Sequence, residues 1–221
     1  DITLQQGNGN ETVNGTDSNE TIYGNGGNDT INGNYGDDVL IGGAGNDTLD
    51  GGGDNDTYVY NLGDGLDTIT DDAGSNKIIF GEGITQNNLT FTQMGNNLLI
   101  YLNGDKNQGI MINNFFYNDS YKIGEIHFAD NSVFYLSETG LTLDQSDRTD
   151  NMTINGTDYD DTIIGGSGND TINAGDDDDV ITGGKGNDTL NGGYGRDTYI
   201  YNLGDGVDTI NETRGNDKIK F

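Results

Sequence analysis

The chain has 221 residues, of which 38 are acidic and 9 are basic, so its formal net charge at pH 7 is −29. Such a charge disfavours direct binding to nucleic acid or to an anionic membrane surface, and no stretch of the sequence resembles a membrane span. Cysteine and proline are absent while glycine occurs 38 times, so disulfides cannot stabilise the fold and only a thin apolar core is expected.

The chain opens with an alternating segment, 1–5, that predicts a strand, and a similar segment recurs at 141–145. Words of nine residues follow from residue 6. The clearest word, GGAGNDTLD from Gly42, has glycine at positions 1, 2 and 4, aspartate at position 6 and an apolar residue at position 8. Six words run in register over 6–59, and two more follow after an insertion at 60–61.

The nine-residue spacing predicts a coil in which two words make one turn. Glycine permits the positive φ values that tight turns need, and positions 7 to 9 predict a three-residue strand whose middle side chain faces a narrow core. Each word then stacks on the word two places along, at roughly 4.8 Å, and Ile31, Leu40 and Leu49 face inward. Tyr58 replaces the aliphatic residue at position 8 and is interpreted as a lid on this core.

The same stacking aligns the aspartates of position 6 in columns, with Asp29 over Asp47 and Asp38 over Asp56. Such columns of like charge would repel each other without a cation. A calcium ion takes six to eight oxygen ligands, and a glycine loop followed by an aspartate supplies both carbonyl and carboxylate oxygens. The many words in one register resemble a known calcium-binding nonapeptide repeat, and this resemblance favours calcium loops over an array of turns without metal.

The segment 80–146 has a different character, since 12 of the 19 aromatic residues lie between Tyr58 and Tyr135. Apolar alternation between turn signals predicts strands in this part of the chain. They are expected at 89–94, 97–103, 109–113, 123–128 and 132–136. We interpret the segment as a small antiparallel β unit that caps the first array and links it to the next.

The nine-residue words restart at residue 147. Gly24 corresponds to Gly165, Tyr60 to Tyr201 and Phe80 to Phe221, each 141 residues further along. This composite repeat predicts that the chain is a fragment of a larger tandem protein. The expected organisation is an end strand of a preceding unit (1–5), a first array (6–79), a β-rich aromatic cap and linker (80–146) and a second array truncated before its cap (147–221).

These words, the ending YxYNLGDGxDTI, and the segment with GNNLLIYL, NNFF and IHFADNS resemble the RTX family of haemolysin-type calcium-binding proteins. The resemblance implies an all-β fold of two calcium-binding parallel β-rolls joined by a small, mostly antiparallel β linker. It also implies type I secretion from a bacterium and folding on Ca²⁺ outside the cell. The implied partners are calcium, neighbouring RTX blocks, the type I secretion machinery and a host-cell receptor, with no nucleic acid and no membrane span.

The resemblance further implies the calcium ligands, residue by residue. The implied carboxylate ligands are Asp29, Asp38, Asp47, Asp56, Asp67, Asp161, Asp170, Asp179, Asp188, Asp197, Asp208 and Asp217. The implied carbonyl ligands are those of Gly24, Gly33, Gly42, Gly43, Ala44, Gly45, Gly165, Gly166, Ser167, Gly168, Gly183, Gly184, Lys185 and Gly186. Departures from the family pattern occur at Glu11, Glu20, Asn76 and Met152, and the first two words of each roll are expected to bind weakly or not at all.

No catalytic residue is expected. His127 is the only histidine, and because no metalloprotease motif or cysteine accompanies it, we interpret it as a strand residue. The favoured function is a module that folds on calcium after secretion, stabilising a bacterial RTX toxin and aiding its binding to target cells. The alternative is the same secretion and stability role in a secreted adhesin or in a secreted protease, lipase or epimerase.

Overall fold

The computed structural model describes residues 2–71, 73–117, 123–136 and 138–221. Several residues covered by the predicted segments therefore lie outside the described residues, namely Asp1, Asp72, 118–122 and Ser137. The chain divides into two compact units. One unit comprises Asp1–Thr90 and Asn96–Ser137, and the other comprises Phe91–Gly95 and Glu138–Phe221.

The first unit is built from β-strands on two faces. Its strands are β1 (Ile2–Gln5), β2 (Thr12–Asn14), β3 (Glu20–Gly26), β4 (Thr30–Tyr35), β5 (Val39–Ala44), β6 (Thr48–Gly53), β7 (Thr57–Tyr60), β8 (Leu66–Thr70), β9 (Asn76–Phe80), β11 (Asn97–Leu102), β12 (Asp105–Ile112), β13 (Ile123–His127) and β14 (Val133–Tyr135). One sheet has the order β1-β3-β5-β7-β9-β13-β14, and the other contains β2-β4-β6-β8-β12-β11. A 3-10 turn at Gln86–Asn88 precedes β10 (Leu89–Met94).

Neighbouring strands of the roll run parallel and are offset by two words. Ile31 lies opposite Leu49 and Ile22 lies opposite Leu40, so two words make one turn, as the spacing predicts. After the insertion at 60–61 the offset grows, and Leu49 pairs with Ile69. Tyr60 ends β7, where it pairs with Phe80, and Asn61 begins the following loop, so the stacking of the strands continues beyond the insertion.

The strands of the inner turns are longer than the three residues expected from positions 7 to 9. Strands β4, β5 and β6 each have six residues, because the pairing continues into the first three positions of the next word. Asn34, for example, lies opposite Gly52. The loop backbones are thus stacked along with the strands, which brings their carbonyl groups into regular rows.

The core of the first roll is a single row of side chains on each face. Ile22, Ile31 and Leu40 are completely buried. Tyr58 is also buried, between Leu40 and Ile78 of the neighbouring strands. The interpretation of Tyr58 as a lid is therefore wrong, because the row of stacked strands continues beyond it.

The aromatic segment of the first unit continues both faces of the roll. Strand β12 pairs in parallel with β8, and β13 pairs in parallel with β9. The pairs β11–β12 and β13–β14 are antiparallel, as expected. Phe128 stacks on Phe80 with ring centroids 5.9 Å apart, and Phe115 is buried. Phe80, Phe115 and Phe128 thus extend the core, and His127 lies in β13 as expected.

The second unit repeats the two-faced arrangement. Its strands are β15 (Thr142–Asp144), β16 (Thr153–Asn155), β17 (Thr162–Ile164), β18 (Thr171–Asp176), β19 (Val180–Thr182), β20 (Thr189–Tyr194), β21 (Thr198–Ile200), β22 (Thr209–Asn211) and β23 (Lys218–Lys220). The order on one face is β15-β17-β19-β21-β23 and on the other β16-β18-β20-β22. Phe91 of β10 pairs in parallel with Leu143 of β15.

Both units are therefore all-β, and each contains a parallel β-roll. Ile172 lies opposite Leu190, again two words apart. In the parts of the chain that the structure describes, no helix combines the length and hydropathy of a membrane span.

At Gly43, in position 2 of its word, glycine is required for two separate reasons. Its φ is +91°, in the region that side chains with a Cβ rarely adopt. A Cβ atom would in addition collide with the carbonyl oxygen of Asn25 in the preceding turn. Gly63 shares the first requirement only, because its φ is +95° and a Cβ there would meet no atom within 4 Å.

We expect Gly43→Ala to destabilise the first unit much more than Gly63→Ala does. The positive φ alone costs an alanine about 1–2 kcal/mol, and the collision at Gly43 adds about 1–3 kcal/mol of overpacking. Urea denaturation of both variants at saturating calcium measures the difference. Equal losses of unfolding free energy would show that close stacking of the loops contributes nothing.

Candidate metal sites

One oxygen of each position-6 aspartate accepts a backbone N–H from the preceding turn. The N–H of Asp29 donates to Oδ1 of Asp47 over 2.7 Å, and the N–H of Asp47 donates to Oδ1 of Asp67 over 3.0 Å. The second column has the same bond, in which the backbone N–H of Asp38 donates to Oδ1 of Asp56 over 2.9 Å. The predicted columns of aspartates are therefore held by one hydrogen bond per turn.

The second roll has the same two columns. In one column the N–H of Asp170 donates to Oδ1 of Asp188, and the N–H of Asp188 donates to Oδ1 of Asp208. In the other column the N–H groups of Asp161, Asp179 and Asp197 donate in turn to Oδ1 of Asp179, Asp197 and Asp217. All five bonds are 2.8–3.1 Å long. The departures from the repeat also take part, because Glu11 and Met152 donate their N–H groups to Asp29 and Asp170. Asn76 accepts from Asp56 through its amide oxygen over 2.7 Å, so this bond does not need a charge.

The other oxygen of most inner aspartates is buried and lacks a hydrogen-bond partner among the residues that the structure describes. These atoms are Oδ2 of Asp29, Asp38, Asp47, Asp56, Asp179, Asp188 and Asp197. A buried carboxylate oxygen without a donor costs free energy. The sequence thus places rows of anionic oxygen atoms where no protein group compensates them.

Most of the unpartnered oxygens point at the glycine in position 1 of their own word, whereas the word of Asp179 begins with Ala174. A Cβ on Gly24 would collide with Oδ2 of Asp29 and with the carbonyl oxygen of Gly42, one turn further along. A Cβ on Gly33 would likewise meet Oδ2 of Asp38 and the carbonyl oxygen of Gly51. Carboxylate and carbonyl oxygens therefore converge at these loops, and that donor set suits a hard cation such as calcium.

The predicted carbonyl ligands are arranged in rows along the loops. Of the position-1 carbonyls, those of Gly33, Gly42 and Gly183 lie against the position-1 glycines of the preceding turn. The position-4 carbonyls of Gly45, Gly168 and Gly186 lie against the position-4 glycines of the following turn. The carbonyl of Ala44 accepts the N–H of Gly27, and that of Gly166 accepts the N–H of Lys185. A carbonyl so engaged keeps a second lone pair.

The second word of each roll differs because a threonine at position 2 satisfies its carboxylate. Thr157 donates its N–H to Oδ2 of Asp161 over 2.5 Å and its hydroxyl over 3.1 Å. Thr16 donates its N–H to Oε2 of Glu20 over 2.9 Å and its hydroxyl to Oε1 over 2.5 Å. In the third word Oδ2 of Asp170 accepts the N–H of Gly166 over 3.1 Å. Protein donors thus reach both oxygens of Asp161 and Asp170.

Burial makes the inner carboxylates weak acids in the metal-free roll. Burial, with a smaller contribution from neighbouring carboxylates, raises the pKa of Asp47 to about 6, of Asp56 to about 7 and of Asp67 to about 8. In the second roll it raises the pKa of Asp188 to about 6 and of Asp179 to about 8. These five carboxylates therefore hold their protons up to a higher pH than ordinary aspartates do.

A second ladder, at position 5, was not foreseen. The side-chain oxygen of Asn28 accepts the N–H of Asn46 over 3.0 Å, and Asn46 accepts the N–H of Leu66 over 3.0 Å. Asn169 and Asn187 are linked in the same way in the second roll. These bonds point toward the following turn, whereas those of position 6 point toward the preceding one. The recurring Asn or Asp at position 5 was the available signal.

The repeats match the family model described as RTX calcium-binding nonapeptide repeat (4 copies), at residues 6–34, 23–58, 32–66, 153–181 and 173–208. Together these matches cover just over half of the chain. The chain belongs to the RTX calcium-binding repeat family. A haemolysin-type calcium binding protein related domain also matches at residues 97–137, which confirms the resemblance assigned to the aromatic segment.

A curated relative is the iron-regulated protein FrpA of Neisseria meningitidis serogroup C, which is 40% identical over 97 residues. The match covers 41% of this RTX chain and 9% of FrpA, so it spans about a tenth of that relative. Among solved structures, the extracellular lipase LipA of Serratia marcescens is 19% identical with a TM-score of 0.32. That alignment covers 89% of this chain and 31% of LipA.

RTX repeats bind Ca²⁺, and the residues of this chain fit that ion. The position-6 carboxylates supply anionic oxygens, and the loops supply carbonyl oxygens beside them. Bound calcium would compensate the negative charge that the columns bring together. The repeats act as structural calcium-binding modules.

We expect Asp47→Asn and Asp47→Ala to have different effects in chelator. Asparagine keeps the acceptor for the N–H of Asp29, as Asn76 does in its own word, and removes one charge from the column. The alanine variant also loses that acceptor, at a cost of about 1–3 kcal/mol. Circular dichroism in chelator at pH 5, where protonation favours the folded state, should show at least wild-type β content for Asp47→Asn and less for Asp47→Ala.

With calcium, both Asp47 variants should need several-fold more of the ion to fold, because each has lost an anionic ligand. Glu82→Gln is a matched charge control, since Glu82 is exposed and lies outside the rolls. A calcium midpoint for Asp47→Asn equal to that of Glu82→Gln would contradict the assignment of Asp47 as a ligand.

In chelator, the folded fraction should increase as the pH falls from 8 to 5. The folded-state pKa values of Asp56, Asp67 and Asp179 lie at about 7 to 8, above the unfolded value of about 3.9. The folded state therefore binds more protons, and its stability is lost as the pH rises through this window. A double variant, Asp67→Asn with Asp179→Asn, should flatten the profile followed by circular dichroism, and an unchanged profile would contradict this origin.

Proposed function

We propose that this chain is a folding module of a secreted bacterial RTX protein, unfolded at low calcium concentration and folded into its two β-rolls at the higher concentration outside the cell. The observation that carries the proposal is the set of buried Oδ2 atoms that have no donor among the described residues, stacked turn upon turn. Metal-free folding must leave these charges uncompensated or protonated. Calcium removes that cost.

The composition supports the same mechanism. A formal charge of −29 repels the chain from itself, and only 30% of the residues are hydrophobic. Chains of this kind bury too little apolar surface to offset the conformational entropy of folding. Each bound Ca²⁺ brings two positive charges to a loop pair, and stacking on the neighbouring turn makes successive sites favour one another.

An unfolded state at low calcium suits passage through the type I secretion machinery, which the RTX resemblance implies. Calcium outside the cell would then order the chain and hold the neighbouring blocks of its parent protein in a stable form. This role is non-catalytic and is the same for a toxin, an adhesin or a secreted enzyme.

Binding to target cells gains little support from the aromatic segment. Phe91, Phe115, Phe128 and Phe134 are buried. Tyr117 and Tyr135 are exposed. The described aromatic residues of this segment therefore mostly serve its core.

A calcium titration followed by far-ultraviolet circular dichroism tests the proposal, with magnesium as the control ion. We expect a cooperative gain of β structure with calcium and none at equal magnesium, because magnesium demands a stricter octahedral geometry and keeps its waters. The double variant Asp47→Ala with Asp188→Ala should lose most of the transition, and Glu82→Gln with Glu138→Gln should keep it. Wild-type chain already folded in chelator at pH 7.5 would contradict the switch.

A further inference from the structure

Position 1 of the eighth word carries an acidic side chain in both rolls. The residue is Asp71 in the first roll and Glu212 in the second, whereas the sixth words have Gly51 and Gly192 at the same position. Position 1 is where the unpartnered carboxylate and carbonyl oxygens converge in the inner words. An acidic side chain there adds negative charge to the place that already has an excess of it.

Each of these acids accepts a hydrogen bond from the tyrosine of the sixth word. The hydroxyl of Tyr58 donates to Oδ2 of Asp71 over 2.5 Å, and the hydroxyl of Tyr199 donates to Oε1 of Glu212. Tyr58 also accepts the N–H of Gly51 over 2.8 Å. A buried tyrosine thus fixes the acidic side chain in the same manner in both rolls.

In the second roll the acid belongs to a cluster of three carboxylates. Three carboxylate oxygens lie within 4.8 Å of one another, one each from Asp197, Glu212 and Asp217. Asp197 is completely buried, and its Oδ2 has no hydrogen-bond partner among the described residues. Its backbone N–H binds Oδ1 of Asp217 over 3.1 Å. A buried unpartnered oxygen and two further carboxylates therefore face one small volume.

The first roll has the same arrangement with one charge fewer. Asp56 corresponds to Asp197 and likewise has a buried, unpartnered Oδ2. Asp71 corresponds to Glu212, and the neutral Asn76 stands in the place of Asp217. The two rolls thus provide an internal comparison of three ionisable ligands against two.

The geometry points to a calcium site in the second roll that is held by the side-chain carboxylates of Asp197, Glu212 and Asp217, with Glu212 as a ligand that the nine-residue pattern does not supply. This inference deepens the proposed function and rests on its calcium binding. A carboxylate from position 1 replaces the glycine of the inner words, so the site has a higher negative charge. Because affinity at oxygen sites rises with the number of charged ligands, this site fills before its counterpart at Asp56 and Asp71.

The competing explanation is that Glu212 only accepts the hydrogen bond of Tyr199. Glu212→Gln separates the two, because glutamine keeps an acceptor for the tyrosine hydroxyl and lacks the charge that a metal ligand provides. Asp71→Asn is the corresponding change in the first roll, and Glu82→Gln is the control for loss of one exposed charge.

The test is a terbium titration of the full chain, followed by tyrosine-sensitised luminescence. Terbium(III) substitutes for calcium at oxygen sites, and the ring of Tyr199 lies beside the proposed ligands. Glu212→Gln should weaken terbium binding in the tightest sensitised phase at least about tenfold. Asp71→Asn should weaken binding in a weaker phase, and Glu82→Gln should change neither phase. Tyr199→Phe should remove the sensitised signal of that phase, and a competition assay with a fluorescent calcium chelator should still detect binding at the site.

Calcium titrations of the same variants by circular dichroism separate this inference from the proposed function. Calcium-driven folding together with a terbium titration unaltered by Glu212→Gln overturns the inference alone and leaves Glu212 as a hydrogen-bond acceptor. A wild-type chain that neither folds with calcium nor binds terbium overturns both. Selective loss of the tight phase in a variant that still folds with calcium establishes Glu212 as a ligand.

Discussion

The structure depends on the different surroundings of the two oxygens of a position-6 carboxylate such as that of Asp47. Oδ1 of Asp47 accepts the N–H of Asp29 and holds two turns together, while Oδ2 is buried and finds no donor in the part of the chain that the structure describes. Strand spacing then fixes the separation between charges of a column at roughly 4.8 Å. Two unit charges 4 Å apart repel by about 4 kcal/mol at an effective dielectric constant of about 20. The bond that builds the roll therefore also creates the charge that a cation must compensate.

This constraint explains the glycines as well as the aspartates. Gly24 leaves room for a carboxylate oxygen and a carbonyl oxygen, and Gly43 allows the loop to approach Asn25 of the preceding turn. Apolar packing contributes only a narrow row on each face, such as Ile31 opposite Leu49. Loop stacking, charge compensation and core formation are thus coupled, because each turn places carbonyl oxygens against its neighbour's loop.

Periodicity was sufficient to predict the two-word turn, the inward row of Ile31 and Leu49 and the columns of aspartates, because each follows from a spacing repeated many times. Features outside the period could not be predicted in the same way. Tyr58 was wrongly interpreted as a lid, because Ile78, its partner on the adjacent strand β9, comes after an insertion that interrupts the period. The N–H and hydroxyl of Thr157 reach Asp161 only when the side chains adopt suitable rotamers, and a repeat pattern does not encode rotamers.

The two side-chain ladders run in opposite directions, since Asn28 at position 5 reaches toward the following turn and Asp47 at position 6 reaches toward the preceding one. Every inner turn therefore has the same upper and lower face, and one turn can follow any other. Insertions or deletions of eighteen residues preserve both ladders, whereas a change of nine residues moves every later loop to the opposite face. RTX arrays built this way can change length during evolution by recombination in whole turns, without redesign of any single turn.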